Sequence, residues 1–249
     1  MNTKKEKLTG REKRLARKLD TAVTCESVGL DPALYAGALR YLFDRPVPAE
    51  NEEEWFWNID EPEFEATPLQ WVHIQTVLFA HAGTDLKPYS DEQVGLGLNY
   101  VMSNSVSDVS HMVNDCSVSL PEAMRMMRAL PLLWRDCIGP RMGDLHQSIG
   151  SGHGRLGFVC YMWFDVWPSF WSAKHVPEWR DAMWNVFREM LTMPWREVQI
   201  AALHGIEHEG AHLERPHQVK ALIDGFVRKL KNDEELKNYA MAAADGMVQ

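Results

Sequence analysis

Cysteine is scarce and scattered in this chain. The four residues, Cys25, Cys116, Cys137 and Cys160, form no CxxC pair. That excludes a disulfide scaffold and the usual cysteine-based zinc and thioredoxin sites. Free thiols in a reducing compartment are predicted, with Cys160 inert inside the apolar stretch FVCYMWF. No apolar run approaches the roughly 20 residues that cross a bilayer. The first residues, MNTKKEKLTGREKRLARKLD, lack the apolar centre of a secretory signal. A cytoplasmic protein without a membrane partner is therefore expected. Excess positive charge is lacking too: 26 basic against 35 acidic residues leave a net charge of −9. A general nucleic-acid binder needs a basic surface to displace counterions, so that class is excluded. Strict two-residue alternation between hairpin turns is also missing, and nothing asks for strands.

What remains is the balance of an ordinary globular protein: 249 residues, 45% hydrophobic and 24% charged. This is enough chain for a core without staples. Helix-start pairs recur. Thr9 precedes Glu12 by three residues, Thr67 precedes Gln70, Ser90 precedes Gln93, Ser119 precedes Glu122 and Asn232 precedes Glu235. Each pair can satisfy two free amide donors at a helix start. Apolar stripes agree: Val94, Leu98, Val101 and Met102; Trp179, Met183, Val186, Phe187 and Met190; Val219, Leu222, Ile223, Phe226, Val227 and Leu230. The prediction is one all-α domain over 1–249, an irregular stack of antiparallel helical hairpins with short connections.

Three regions interrupt this pattern. Residues 1–20 carry eight basic and three acidic groups and read as a solvated helix, frayed at its end. Residues 44–66 read as an acidic loop with embedded aromatics, EEEWFWNIDEPEFEA. Residues 139–154, GPRMGDLHQSIGSGHG, read as a Gly-rich loop and a candidate break between sub-domains. Their end, Gly152 to Gly157, fits GxGxxG, but with no strand before it the match reads as a loop capping a helix. Seven of the ten tryptophans fall between 134 and 195 at largely helical spacing, which predicts interhelical packing. Pro168 is expected to end the helix that carries Trp163 and Trp167, leaving Trp171 to the next turn.

Three segments, YSDEQVGLGLNYVMSNSVSD (89–108), FVCYMWFDVWP (158–168) and IAALHGIEH (200–208), together resemble a family of bacterial proteins whose helices are similar to HEAT-type repeats. The resemblance covers roughly 60–230. It implies an all-helical, repeat-like fold and brings no reaction or ligand with it.

Two functions compete. The acidic loop places Trp55, Phe56 and Trp57 directly after Glu52, Glu53 and Glu54. These aromatics either tuck into the core as an anchor or form part of a partner-binding patch, and as a patch in a negative field they suit a basic protein partner. The favoured reading is a non-enzymatic interaction module, for example an immunity-type inhibitor of a basic protein, with no cofactor and an oligomeric state left open. The alternative is a zinc hydrolase. His208-Glu209-Gly210-Ala211-His212 fits HExxH: on a continuous helix His208 and His212 share a face, Glu209 activates water, and His204 lies one turn back. Glu234 or Glu235 would supply a further ligand. Gly210 argues against it. Glycine inside a helix costs about 1 kcal/mol relative to alanine and is more natural at a helix end, so the motif is expected to break there. A pocket for a small molecule between Trp- and Met-rich helices is a third possibility that no polar constellation specifies.

Overall fold

A computed structural model describes residues 23–49, 52–143, 148–149 and 154–246. The predicted basic helix at 1–20 and its Thr9 start lie outside them. Among the described residues the protein is all-α, without strands. The helices are α1 (Cys25–Val28), α2 (Pro32–Phe43), α3 (Pro68–Asp85), α4 (Asp91–Met102), α5 (Leu120–Leu133), α6 (Gly139–Met142), α7 (Gly154–Val166), α8 (Ser169–Ala173), α9 (Pro177–Met190), α10 (Arg196–Glu209), α11 (Pro216–Val227) and α12 (Glu234–Ala244). Short 3-10 turns occupy Trp55–Trp57, Val109–Asn114 and Gly210–Leu213, and a π-helical turn, Trp134–Ile138, joins α5 to α6. Among the described residues no helix is long and apolar enough to cross a membrane.

Local chemistry sets most of the starts. Thr67 and Gln70 exchange backbone-to-side-chain hydrogen bonds of 2.9 and 3.3 Å, and Ser90 and Gln93 do so at 3.1 and 3.2 Å. These close the reciprocal caps predicted for α3 and α4. The Glu122 carboxylate accepts from both the Ser119 amide and hydroxyl. The predicted Asn232 start is off by one: Asp233 accepts from the Leu236 amide at 2.9 Å and caps α12. Pro168 falls between α7 and α8 as expected.

Two expectations are corrected. Residues 139–142 are helical, not loop. Gly139 is there for close approach: a Cβ would collide with the Trp195 ring. A proline at 140, in the first turn of α6, lacks only an amide that a helix start does not need. The pairing of consecutive helices holds for α9 with α10 and α11 with α12, but the principal contacts skip neighbours, namely α3 with α5, α4 with α7, α7 with α10 and α5 with α9. The Val109–Asn114 turn packs on both α3 and α4.

The buried apolar side chains form one continuous cluster from Val28 to Ala243, with members on both sides of 139–154. Its centre is aromatic. Trp134 stacks on Phe164 at 6.0 Å and meets Trp163 edge-on at 5.8 Å, while Phe187 meets Phe164 at 4.9 Å. Trp163 and Trp167 are buried as predicted, and Trp171 is exposed. The aromatic core holds α7 against α10, and that contact builds the site described next.

Candidate metal centre

α7 is apolar along nearly its whole length, and Asp165 is the acid within it. α10 presents His204, Glu207 and His208, which at spacings of three and four share one face. Where the helices meet, the Asp165 carboxylate bridges both imidazoles. Its Oδ2 lies 3.2 Å from His204 Nε2 and its Oδ1 lies 2.7 Å from His208 Nε2. One ligating atom from each of the three residues lies within 4.8 Å of the others. Donors about 2.0–2.2 Å from a common ion stand roughly 3–3.5 Å apart, so these atoms would have to draw in from their present spacing to hold one. Two imidazoles and a carboxylate are a ligand set for zinc or ferrous iron.

The environment suits that chemistry. His204 is buried, and burial pushes its pKa below the ordinary value of 6.5 against the opposing pull of Asp165. The ring is therefore neutral near pH 7, as a metal ligand must be. Its Nδ1 stands 3.1 Å from the Tyr239 hydroxyl of α12. The Tyr161 ring stacks on it at 4.3 Å, with 24° between the planes. Tyr239 also stands 3.3 Å from the Tyr161 hydroxyl, and burial raises its pKa. On the outer side, the His208 side chain is 40% exposed, which opens the cluster to solvent. Glu207 Oε2 lies 3.1 Å from His208 Nε2, and among the described residues neither it nor Asp165 Oδ1 has a hydrogen-bond partner.

The HExxH residues are not brought together as that motif requires. α10 ends at Glu209, and Gly210 opens a 3-10 turn. His212 is carried off the face and lies exposed, 3.5 Å from Lys174 Nζ. His204 and His208 stay on one face, but their third partner is Asp165 rather than His212. Glu234 pairs with Lys237, and Glu235 with Arg196 at 2.6 Å, so neither reaches the imidazoles. Glu209 is turned away from the shared face. It is 3% exposed, and burial raises its pKa to about 7 although Trp171 and Lys174 pull it down. Asp165, Glu207, Tyr161 and Tyr239 were missed from sequence. A signal existed for Asp165, a charge inside FVCYMWFDVWP that a buried helix face does not tolerate without a partner. The tyrosines carried none.

The acidic loop divides. Trp55 is buried, stacked on Tyr100 at 5.0 Å with the Arg45 guanidinium 4.7 Å from its ring centre. It is an anchor and is removed from the predicted partner surface. Glu54 faces Arg155 at 3.6 Å. Glu52 and Glu53 are exposed, Phe56 is half-buried, Trp57 is 47% exposed and Ile59 97%. The predicted GxGxxG helix start meets a carboxylate rather than offering room for phosphate: Glu92 of α4 accepts from the Arg155 amide at 3.4 Å. No protein-family model, curated protein or solved structure matches the chain.

Proposed function

We propose that this helical protein holds one divalent transition metal, zinc by preference, on Asp165, His204 and His208 and uses it to activate water for hydrolysis. The observation that carries the reading is the convergence of both Nε2 atoms on one carboxylate. Three protein ligands with a solvent-facing side leave a position for water or substrate, the pattern of catalytic rather than structural zinc. The four free cysteines fit a reducing, cytoplasmic setting. The α9–α10 and α11–α12 pairs support a HEAT-like arrangement of the C-terminal half.

Metal analysis of chain purified without a histidine tag tests the centre. About one zinc per chain is expected, lost in Asp165→Ala and His204→Ala and kept in His212→Ala. Wild-type metal content no higher than that of the Asp165→Ala, His204→Ala double variant rejects it.

A second reading keeps the chain as a non-enzymatic module that binds a basic protein, such as an immunity-type inhibitor. It is favoured by the fully exposed Ile59 and half-exposed Trp57 beside Glu52 and Glu53. Reversing both charges in Glu52→Lys, Glu53→Lys is expected to reduce capture of such a partner, most strongly at low salt. Equal capture at all salt concentrations removes this surface from consideration.

A further inference from the structure

We infer that Tyr239 is the positioning residue of the metal centre, and that the helix carrying it, α12, acts as a strap whose docking completes the site. The inference rests on the metal reading above and adds to it a residue that touches no metal.

His204 can give its Nε2 lone pair to an ion only if the ring proton sits on Nδ1. In the metal-free ring the proton belongs on Nε2, where the Asp165 carboxylate accepts it at 3.2 Å. Nδ1 then accepts from the Tyr239 hydroxyl at 3.1 Å. When an ion takes Nε2, the ring proton moves to Nδ1 and is donated to Tyr239 Oη. The tyrosine proton turns toward Tyr161 Oη, 3.3 Å away. His204 carries one proton before and after, so its charge is unchanged. Only a hydroxyl, which can donate or accept, satisfies Nδ1 in both states. A phenylalanine satisfies it in neither. Tyr161 fixes the plane of the ring by stacking on it.

The backbone position of Tyr239 is itself held by α10. Arg196, at the start of that helix, binds Asp233 at 2.7 Å and Glu235 at 2.6 Å, just before and within the first turn of α12. Below this clamp α12 lies along α10, and Tyr239 comes opposite His204. One helix therefore supplies two metal ligands, and its strap orients one of them. By linkage, an ion that needs Tyr239 in place must in turn hold α12 down.

The test is a zinc titration against a chromophoric chelator. Tyr239→Phe is expected to bind zinc about 10–100-fold more weakly than wild type, the usual loss when a ligand's outer hydrogen-bond partner is removed. Tyr161→Phe keeps the stacked ring and the Tyr239 hydroxyl but removes the acceptor of the Tyr239 proton, and is expected to weaken zinc binding less than Tyr239→Phe does. Two measurements on the unmutated protein stand beside it. Nitrogen NMR of the zinc form should find the His204 proton on Nδ1, and zinc should slow hydrogen exchange in 234–244. Wild-type affinity in a folded Tyr239→Phe chain, or exchange in α12 indifferent to zinc, overturns the inference while the centre survives. A wild-type chain that takes up no zinc overturns the centre itself.

Discussion

Gly205→Leu is expected to melt about 6–12 °C below the parent chain and to lose metal binding with its stability. Gly205 lies next to His204 on α10, buried where that helix crosses α7 and α9. A Cβ there would stand 2.5 Å from Phe187 Cε1 and 2.7 Å from Phe164 Cδ2. Both rings are buried and packed against each other, so neither has a free direction in which to yield. Alanine gains about 1 kcal/mol of helix propensity over glycine, and overpacking costs about 1–3 kcal/mol. Gly205→Ala should therefore lose about 2 kcal/mol at most, whereas leucine should lose at least about 3 kcal/mol because its branched end has nowhere to go. The functional consequence follows from position. Phe164 precedes Asp165 and Gly205 follows His204, so a wedge at this crossing separates the two ligands it brings together. Thermal unfolding monitored by circular dichroism, with zinc content measured in parallel, checks both halves. A leucine variant as stable as wild type would falsify the close-approach argument.

Glu209→Gln is expected to stabilise the metal-free protein by up to about 3 kcal/mol at pH 8, and by under about 1 kcal/mol at pH 5. Burial raises the Glu209 carboxyl from 4.5 to about 7 in the folded chain, with Asp165 adding a smaller push in the same direction. Below pH 4.5 the group is protonated in both states and has no effect on stability. Between 4.5 and about 7 the unfolded chain ionises first, so wild-type stability falls as pH rises through this window and levels off above it. Glutamine has the shape of the protonated acid, keeps an oxygen for the Trp171 indole, and does not titrate. Denaturant unfolding of both proteins in a chelating buffer, at several pH values, gives the two curves. Parallel curves would show that the buried carboxyl is not the source of the pH dependence.

Helical periodicity was legible in the stripes of α4, α9 and α11, and so were the reciprocal caps of α3 and α4, because both depend on residues within one turn of each other. The place where α10 ends, at Gly210, was legible too, but not its form: Gly210 keeps a right-handed φ of −58° and the left-handed residue is Glu214. Glycine also marks where such reading stops. At 139 it looks like loop punctuation, yet it makes room for Trp195, a neighbour 56 positions later in the chain. The acidic loop was half legible. Its aromatics announced an anchor, but only packing against Tyr41 and Tyr100 selected Trp55 for the inside and left Trp57 outside.

The candidate centre divides in the same way. His204 and His208 stand one turn apart on a single helix, so their shared face was fixed by residue spacing alone. The completing ligand was sought within the same short stretch, at His212, and the helix end took that residue away. Asp165 comes instead from α7, 39 positions before His204, and Tyr239 from α12, 35 positions after it. Contacts of that span depend on which helices the aromatic core presses together. Intervals between letters record turns of a helix, whereas a crossing between helices is chosen by the volume of the side chains that fill it.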